Sequence, residues 1–253
     1  MKSIRKPNRK RLDPSCDIFS KDLISIGIKP EFCPYIFYNI IEKHYSEPTR
    51  EYHNLNHVLR SRRLLDETSE YVQNKNNLAV AIWFHDVIYD PAGQNNEINS
   101  AEIATNCLKQ YGNISNSEVE KLILCTNYID NEPGTNDEML MVDIDFSILG
   151  TDSRSYIIYS NGILKELEQL NIKPEYYFEK RLQFLQHIIN REKIFFTKCF
   201  KERFEEKARK NITNEIKIIR HILGRENQIT WDMYANTAFR TSNKSFEIGN
   251  KDK

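Results

Sequence analysis

Apolar residues recur along most of the chain at three- and four-residue intervals, the spacing of one face of an α-helix. The alternation expected of exposed strands is nearly absent. The pattern predicts an all-α fold. Phe32 to Tyr45, with Tyr35, Ile36, Tyr38, Ile40, Ile41 and Tyr45 on its apolar positions, reads as an amphipathic helix broken by Glu47-Pro48-Thr49. A second helix is expected from Asn54 to Val72. Asn77 to Ile88, NLAVAIWFHDVI, is apolar almost all round, as in a helix buried at the centre of a domain. Gln94 to Tyr111, Ser117 to Tyr128 and Asp137 to Leu149 read as further helices, split by clusters of Asn, Gly and Pro. Beyond Gly150, long helices are expected over Tyr156 to Leu170, Pro174 to Asn190 and Ile194 to Leu223, with Pro174 in a first-turn position. No linker divides this run, so one domain is expected over residues 17–222. The polar, charged ends, residues 1–13 and 242–253, are expected to be flexible.

Composition narrows the function classes. The chain has 253 residues, long enough to bury a substantial core without disulfide or metal staples. Its 36 basic and 36 acidic residues cancel, so no global field attracts nucleic acid or an anionic membrane. Neither partner is expected, and an anionic substrate must be handled locally. Five scattered cysteines, Cys16, Cys33, Cys107, Cys125 and Cys199, form no CxxC pair and point to a reducing cytoplasm. No apolar run follows the basic start of the chain, so neither a cleaved signal nor a membrane span is expected. Oligomeric state is not legible in the chain.

The candidate chemistry centres on His85-Asp86, a charged pair set among Trp83, Phe84, Val87 and Ile88. Burying a carboxylate in such surroundings costs several kcal/mol unless it is paired or bound to a metal. The bland explanation is an imidazole-carboxylate pair satisfied by a neighbouring helix; an ion lying between the two side chains resolves the burial of both. His53 and His57 form an i, i+4 pair in RxYHNLNH, which puts both imidazoles on one helical face, or else Asn54 or Asn56 caps a helix beside them. The zinc-protease arrangement HExxH is rejected because Asn54 occupies the position of its glutamate. A third region, MVDIDFSILG, carries Asp143 and Asp145 in an apolar stretch; two residues apart on a helix they diverge, so at most one is a ligand. His44 and His221 read as surface residues, and His187 as lining a helix-packing face.

The order His…His-Asp…Asp on an all-helical chain resembles the HD superfamily of metal-dependent phosphohydrolases. RxYHNxxHV at Arg50 to Val58, AIWFHDxxYD at Ala81 to Asp90, NExxSA at Asn96 to Ala101 and DxDxxILG at Asp143 to Gly150 together resemble one bacterial branch of predicted members, and ARKNITNE at Ala208 to Glu215 is grouped with them. The resemblance implies an HD-domain-like helical bundle and a metal set of His57, His85, Asp86 and Asp145. Alignment of Ile144-Asp145-Phe146-Ser147 on the last ligand stretch of ppGpp-degrading relatives selects Asp145 over Asp143. It also places Tyr89-Asp90 where those enzymes carry Glu-Asp, making Asp90 a candidate for proton handling, with a turn residue before Pro91 as the alternative. Tyr89 in place of Glu speaks against ppGpp itself. No histidine lies between His85 and His187, so a mononuclear centre is expected. Two imidazoles and two carboxylates favour Mn, Fe, Co, Ni or Zn, with Mg less suited.

The expected function is hydrolysis of a phosphate ester, a nucleotide or related small molecule, by a metal-activated water. Arg50 and His53 are candidates for neutralising phosphate charge, Arg50 alternatively for pairing with Glu97. Glu97 is a candidate base or ligand partner, or else a first-turn acid on a helix dipole. The competing expectations are a catalytically silent HD domain that binds a nucleotide or protein partner, and a helical interaction protein in which His and Asp merely satisfy one another.

Overall fold

The computed structural model describes residues 13–127, 132–170, 172–224, 229–234 and 237–238. Among them every regular element is helical and no strand occurs. Helix α1 is Pro14–Ser25. A continuous second helix, α2, runs through Cys33–Ile36, a wider π-helical turn Phe37–Ile41, and Glu42–Tyr45. There follow α3 (Leu55–Glu67), α4 (Lys75–Phe84), α5 (Asn96–Gly112), α6 (Ser117–Leu124) and α7 (Asn136–Phe146), the last tightening into a 3-10 turn at Ser147–Gly150. The long helices α8 (Ser153–Glu168), α9 (Pro174–Ile189) and α10 (Lys198–Leu223) complete the order.

Helix α4 is the axis of the N-terminal half. Each residue from Asn77 to Phe84 is buried, and α1, α3, α5, α6 and α7 all pack on it. An apolar surface on every side leaves such a helix no stable place except the middle of a bundle. Fully burying Trp83 and Phe84 contributes roughly 1.5 to 3 kcal/mol each or more. The one polar atom of Trp83 is provided for: Nε1 donates to Asp22 Oδ2 at 2.8 Å, and the same carboxylate accepts two bonds from Arg62 at 2.7 and 2.8 Å. Asp22 thereby ties α1, α3 and α4 together.

The sequence expectations differ from the structure at several points. Helix α1 carries no strong amphipathic signature, but Asp13 caps it by accepting the Ser15 amide and Pro14 occupies its first turn. The helix expected to reach Ile88 stops at Phe84, and the one expected from Asn54 ends at Glu67 before a short 3-10 turn, Ser69–Tyr71. Helix α10 starts at Lys198 instead of Ile194 because the amides of Ile194 and Phe195 donate to Glu205 and those of Phe196 and Thr197 to Asp143. His187 is exposed on α9, where Leu185 and Ile188 face inward. Folded structure passes residue 222: Ile229, Tyr234 and Ala238 are buried, and Tyr234 donates to Ser160 at 2.7 Å. Tyr128 and the expected flexible ends, Asp13 apart, lie outside the described residues.

Helix α10 closes against the 3-10 turn that follows α7, and this approach fixes a glycine. A Cβ on Gly150 would stand 2.5 Å from both the Cβ and the carbonyl oxygen of Phe204. Asn211 supports the same junction, its Nδ2 donating to the carbonyls of Leu149 and Thr151 at 2.9 Å each. Gly150→Ala is expected to destabilise the protein by about 2 to 3 kcal/mol, since backbone and not a flexible side chain must move. Urea unfolding of the two proteins measures the difference, and an unchanged midpoint would refute the close packing.

Candidate metal centre

The site begins where α4 ends. The His85 amide still donates to the Ala81 carbonyl at 2.9 Å and that of Val87 to the Phe84 carbonyl at 3.1 Å, but from Asp86 onward partners from other parts of the chain take over. The Asp86 amide donates to Tyr45 Oη at 3.2 Å, and the Ile88 amide and carbonyl both bond Ser100 Oγ. Arg50, only 7% exposed, donates from Nη1 to the carbonyl of Asp86 at 2.6 Å and from Nη2 to that of Val87 at 3.0 Å. Its Nε bonds Glu47 at 2.9 Å, and Nη1 also reaches the His53 carbonyl at 3.2 Å. In this tight turn His85 and Asp86 point toward each other, with His85 Nε2 3.0 Å from Asp86 Oδ2. Successive residues of a helix, about 100° apart, do not meet in this way.

Two other segments complete the cluster. Asn54 caps α3 by accepting the Asn56 amide, which leaves His53 outside the helix and His57 in its first turn. His57 Nε2 lies 3.0 Å from His85 Nε2, 3.5 Å from Asp86 Oδ2 and 3.2 Å from Asp145 Oδ1. Asp145, near the end of α7, is 3.6 Å from His85 Nε2. One donor atom from each of His57, His85, Asp86 and Asp145 can be chosen so that all lie within 4.8 Å of one another. The imidazoles are sealed, with side chains 1% exposed, whereas Asp86 and Asp145 are 17% and 25% exposed toward a cleft. His85 Nδ1 bonds the Ile82 carbonyl at 2.9 Å, which fixes the tautomer of a neutral ring and turns the Nε2 lone pair into the cluster.

Electrostatics within the cluster follow from this geometry. Burial opposes a charged His85, but the carboxylates of Asp86 and Asp145 outweigh it and hold its pKa well above the ordinary imidazole value. Burial likewise opposes ionised Asp86 and Asp145; the two imidazoles outweigh it and hold both carboxyls below the usual range. The donor set suits a divalent cation. Bonds of about 2.1 Å put neighbouring ligands about 3.0 Å apart at right angles and about 3.4 Å apart at the tetrahedral angle, and the five distances from His57 and His85 to the carboxylates and to each other run from 3.0 to 3.6 Å. Two positive charges would also offset the two buried carboxylates.

The other anticipated residues are placed differently. Asp143 is fully buried and turned away from the cluster: it accepts the amides of Phe196 and Thr197 at 2.8 and 2.7 Å and the Thr197 hydroxyl at 2.6 Å. Burial pushes its carboxyl up to about 6 against those bonds. Asp90, expected to face the site, is exposed and accepts the Ala92 amide at 2.9 Å, while its own amide donates to Asn96. It is the turn residue before Pro91. Arg50, expected to meet a phosphate or Glu97, is instead spent on Glu47 and three backbone carbonyls. His53 and Glu97 both line the cleft, and burial, with Asp86 and Asp145 nearby, raises the pKa of Glu97. Of the two arrangements expected for His53 and His57, the Asn54 cap is the one present; the two rings stay in edge contact with centroids 6.0 Å apart, and His53 stacks on Tyr89 with centroids 3.9 Å apart.

Sequence reasoning missed Glu166. Buried on α8, it accepts the amides of Tyr52 and His53 at 2.7 and 2.9 Å and bonds His53 Nδ1 at 2.8 Å. Nε2 is the nitrogen of His53 left for the cleft. Tyr159 and Arg181 in the cleft wall, and Glu215 behind them, were also missed; Glu215 takes Arg181 Nε at 3.0 Å and Nη2 at 3.2 Å. The ARKNITNE segment contained the signal, since it supplies both Asn211 and Glu215. Neither a family model, nor a curated protein, nor a solved structure matches the chain. The functional reading therefore rests on the motifs and the geometry.

Two outcomes are expected of these assignments. Asp143→Ala strands two backbone amides and is expected to cost on the order of 2 to 3 kcal/mol in urea unfolding; a neutral effect would refute its anchoring role. Burial opposes the charge of His53, but the Glu166 hydrogen bond and nearby carboxylates raise its pKa above 6.5, so its stabilising contribution is whole below pH 6.5 and fades as pH rises through the raised value. Burial likewise opposes an ionised Glu166, but His53 lowers its pKa below 4.5, so its contribution is whole above pH 4.5 and fades as pH falls through the lowered value. The destabilisation by Glu166→Gln, followed in chelator, is accordingly expected to be greatest between about pH 4.5 and 6.5, by about 1 to 2 kcal/mol. A flat difference across that range and up to pH 9 would count against the ion pair.

Proposed function

We propose that the chain is a metal-dependent phosphohydrolase that cleaves a phosphate ester with water at the His57, His85, Asp86 and Asp145 cluster. The observation that carries this reading is the convergence of two sealed imidazoles and two carboxylates from three separate segments onto one point at the floor of a cleft. A single divalent cation bound there, of the Mn, Fe, Co, Ni or Zn type, supplies the charge that acidifies a water and polarises a phosphoryl oxygen.

The chain's own side chains do the rest. Nε2 of both histidines and the carboxylates of Asp86 and Asp145 hold the cation, and Arg50 keeps the His85-Asp86 turn in register. Glu97, at the rim and with a raised pKa, accepts the proton given up by water. His53, held by Glu166 with Nε2 toward the cleft, returns a proton to the leaving oxygen. The oxygen of water bonds phosphorus as the ester P–O bond breaks, releasing an alcohol and inorganic phosphate.

Metal analysis of the purified protein is expected to show about one equivalent of a transition metal, and Asp86→Ala is expected to lose it. Hydrolysis of phosphate esters is expected to fall at least about a thousandfold in that variant, in line with loss of a metal-activated nucleophile. Activity surviving Asp86→Ala in folded protein would sink the proposal. Binding of a phosphorylated ligand without turnover by the metal-loaded native protein would make the chain a silent binding module.

A further inference from the structure

The cleft over the cluster has a volume of about 420 Å³, within the range that encloses a small organic ligand. Its walls are unevenly divided. Tyr159, Ile163 and Leu167 line it from α8, Tyr177 and Phe184 from α9, and Phe146, Ile148 and Leu149 from the end of α7 and the 3-10 turn. Tyr52 and Tyr89 close the side nearest the histidines, Tyr52 edge-on to Tyr159 with centroids 4.7 Å apart. An aromatic and aliphatic wall of this kind gains by covering a flat ring and gains nothing from a short hydrated polyol.

Charge at the cleft is equally specific. Among the described residues that line it, Lys180, Arg181 and the imidazole of His53 are the basic side chains and Asp86, Glu97 and Asp145 the acidic ones. Arg181 is already neutralised by Glu215 and also donates from Nη1 to Tyr159 Oη at 3.2 Å. A divalent cation would cancel Asp86 and Asp145, which leaves Lys180 and His53 as the unmatched basic groups of the lining and Glu97 as its remaining acid. One phosphoryl group at the cation takes up these two basic groups. A second would have no further basic partner among the described lining residues and would lie against Glu97 or the tyrosines.

We infer that the substrate is a monoester carrying a single phosphoryl group on a flat ring system of about nucleoside size, and that the α8 and α9 wall rejects polyphosphates and short aliphatic esters. The inference rests on the phosphohydrolase reading above and adds the identity of the leaving group. Phe184 is a specificity-determining residue of this wall, partly buried and with the Arg181 guanidinium 5.2 Å from its ring centroid.

The test pairs turnover with binding, using the full chain loaded with Mn²⁺. Turnover is compared for AMP, ADP, ATP, 1-naphthyl phosphate and glycerol 3-phosphate. Binding of two non-hydrolysable phosphonates, benzyl and propyl, is followed by quenching of intrinsic fluorescence. Expected are a kcat/KM at least tenfold higher for AMP than for ADP or ATP, and at least tenfold higher for 1-naphthyl phosphate than for glycerol 3-phosphate. Benzylphosphonate is expected to bind at least tenfold more tightly than propylphosphonate, a ratio that falls toward one in Phe184→Ala. Equal or faster turnover of ADP or ATP, or of glycerol 3-phosphate, overturns the inference and leaves the hydrolase reading standing. Selective benzylphosphonate binding with no turnover of any ester does the reverse, and absence of both turnover and selectivity removes both.

Discussion

Arg50 holds the turn on which the cluster depends. A helix as apolar as α4 would gain by running on through Val87 and Ile88, and there the ring of His85 and the carboxylate of Asp86 would diverge by about 100°. The Arg50 guanidinium takes up the carbonyls of Asp86 and Val87, Tyr45 takes the Asp86 amide, and Ser100 serves both polar groups of Ile88. These bonds offset the helical ones given up, so the chain can stop turning where the two ligands face each other. The guanidinium is itself buried, but Glu47 and the faces of Tyr45 and Tyr89, with centroids 5.3 and 5.7 Å away, compensate its charge. A lysine, with one ammonium in place of a planar fork, cannot serve carbonyls on successive residues in the same way.

The same economy recurs in the buried acids. Asp137 accepts the amides of Gln73 and Asn74 and sets the entry to α4; Asp143 does so for Phe196 and Thr197 and sets the entry to α10; Glu166 does so for Tyr52 and His53 and sets the approach to α3. In each case two backbone donors that lack a helical partner are satisfied by one carboxylate from a distant helix, which fixes a loop and a helix start together. Asp86 and Asp145 stand apart because imidazoles, not amides, face them. A carboxylate surrounded by amides has completed its bonding. One that faces the lone-pair nitrogen of a tautomerically fixed histidine has not, and a cation would complete it.

This distinction explains what was legible in the sequence. His85-Asp86 stood out because a charged pair within NLAVAIWFHDVI has no cheap burial, and that argument needs only local residues. The central position of α4 followed from the same stretch. Asp143 and Asp145 could not be separated by period, since both sit in one apolar segment and their roles are decided by what lies opposite: the start of α10 for one, His57 for the other. The end of α4 at Phe84 was illegible for a related reason, because the groups that replace its hydrogen bonds come from Arg50, Tyr45 and Ser100. Glu166 and Glu215 looked like ordinary acids of amphipathic helices, and only tertiary packing shows that their side chains are sealed. Arg50 was assigned to a phosphate on the strength of its neighbours in sequence, but the backbone carbonyls of the turn reach it first.

The arrangement of the cluster is directional. The imidazoles lie behind and the carboxylates in front, so negative charge faces the cleft and an anion cannot approach until that charge is compensated. The wall beyond adds only His53 and Lys180 among the described lining residues, since Arg181 is bound to Glu215 and Arg50 to carbonyls. On the proposed function, affinity for phosphate would be concentrated at the cation, His53 and Lys180, and the remaining surface of the cleft would be left to discriminate on shape and apolar contact. Such a division separates the two tasks physically: changes in the α8 and α9 wall can alter which alcohol is carried without disturbing the turn, the tautomer of His85 or the charge balance of the four ligands. The structural acids keep the two regions in fixed relation, because Glu166 reaches from α8 to the segment before His57, and Asn211 and Gly150 lock the turn after Asp145 against α10.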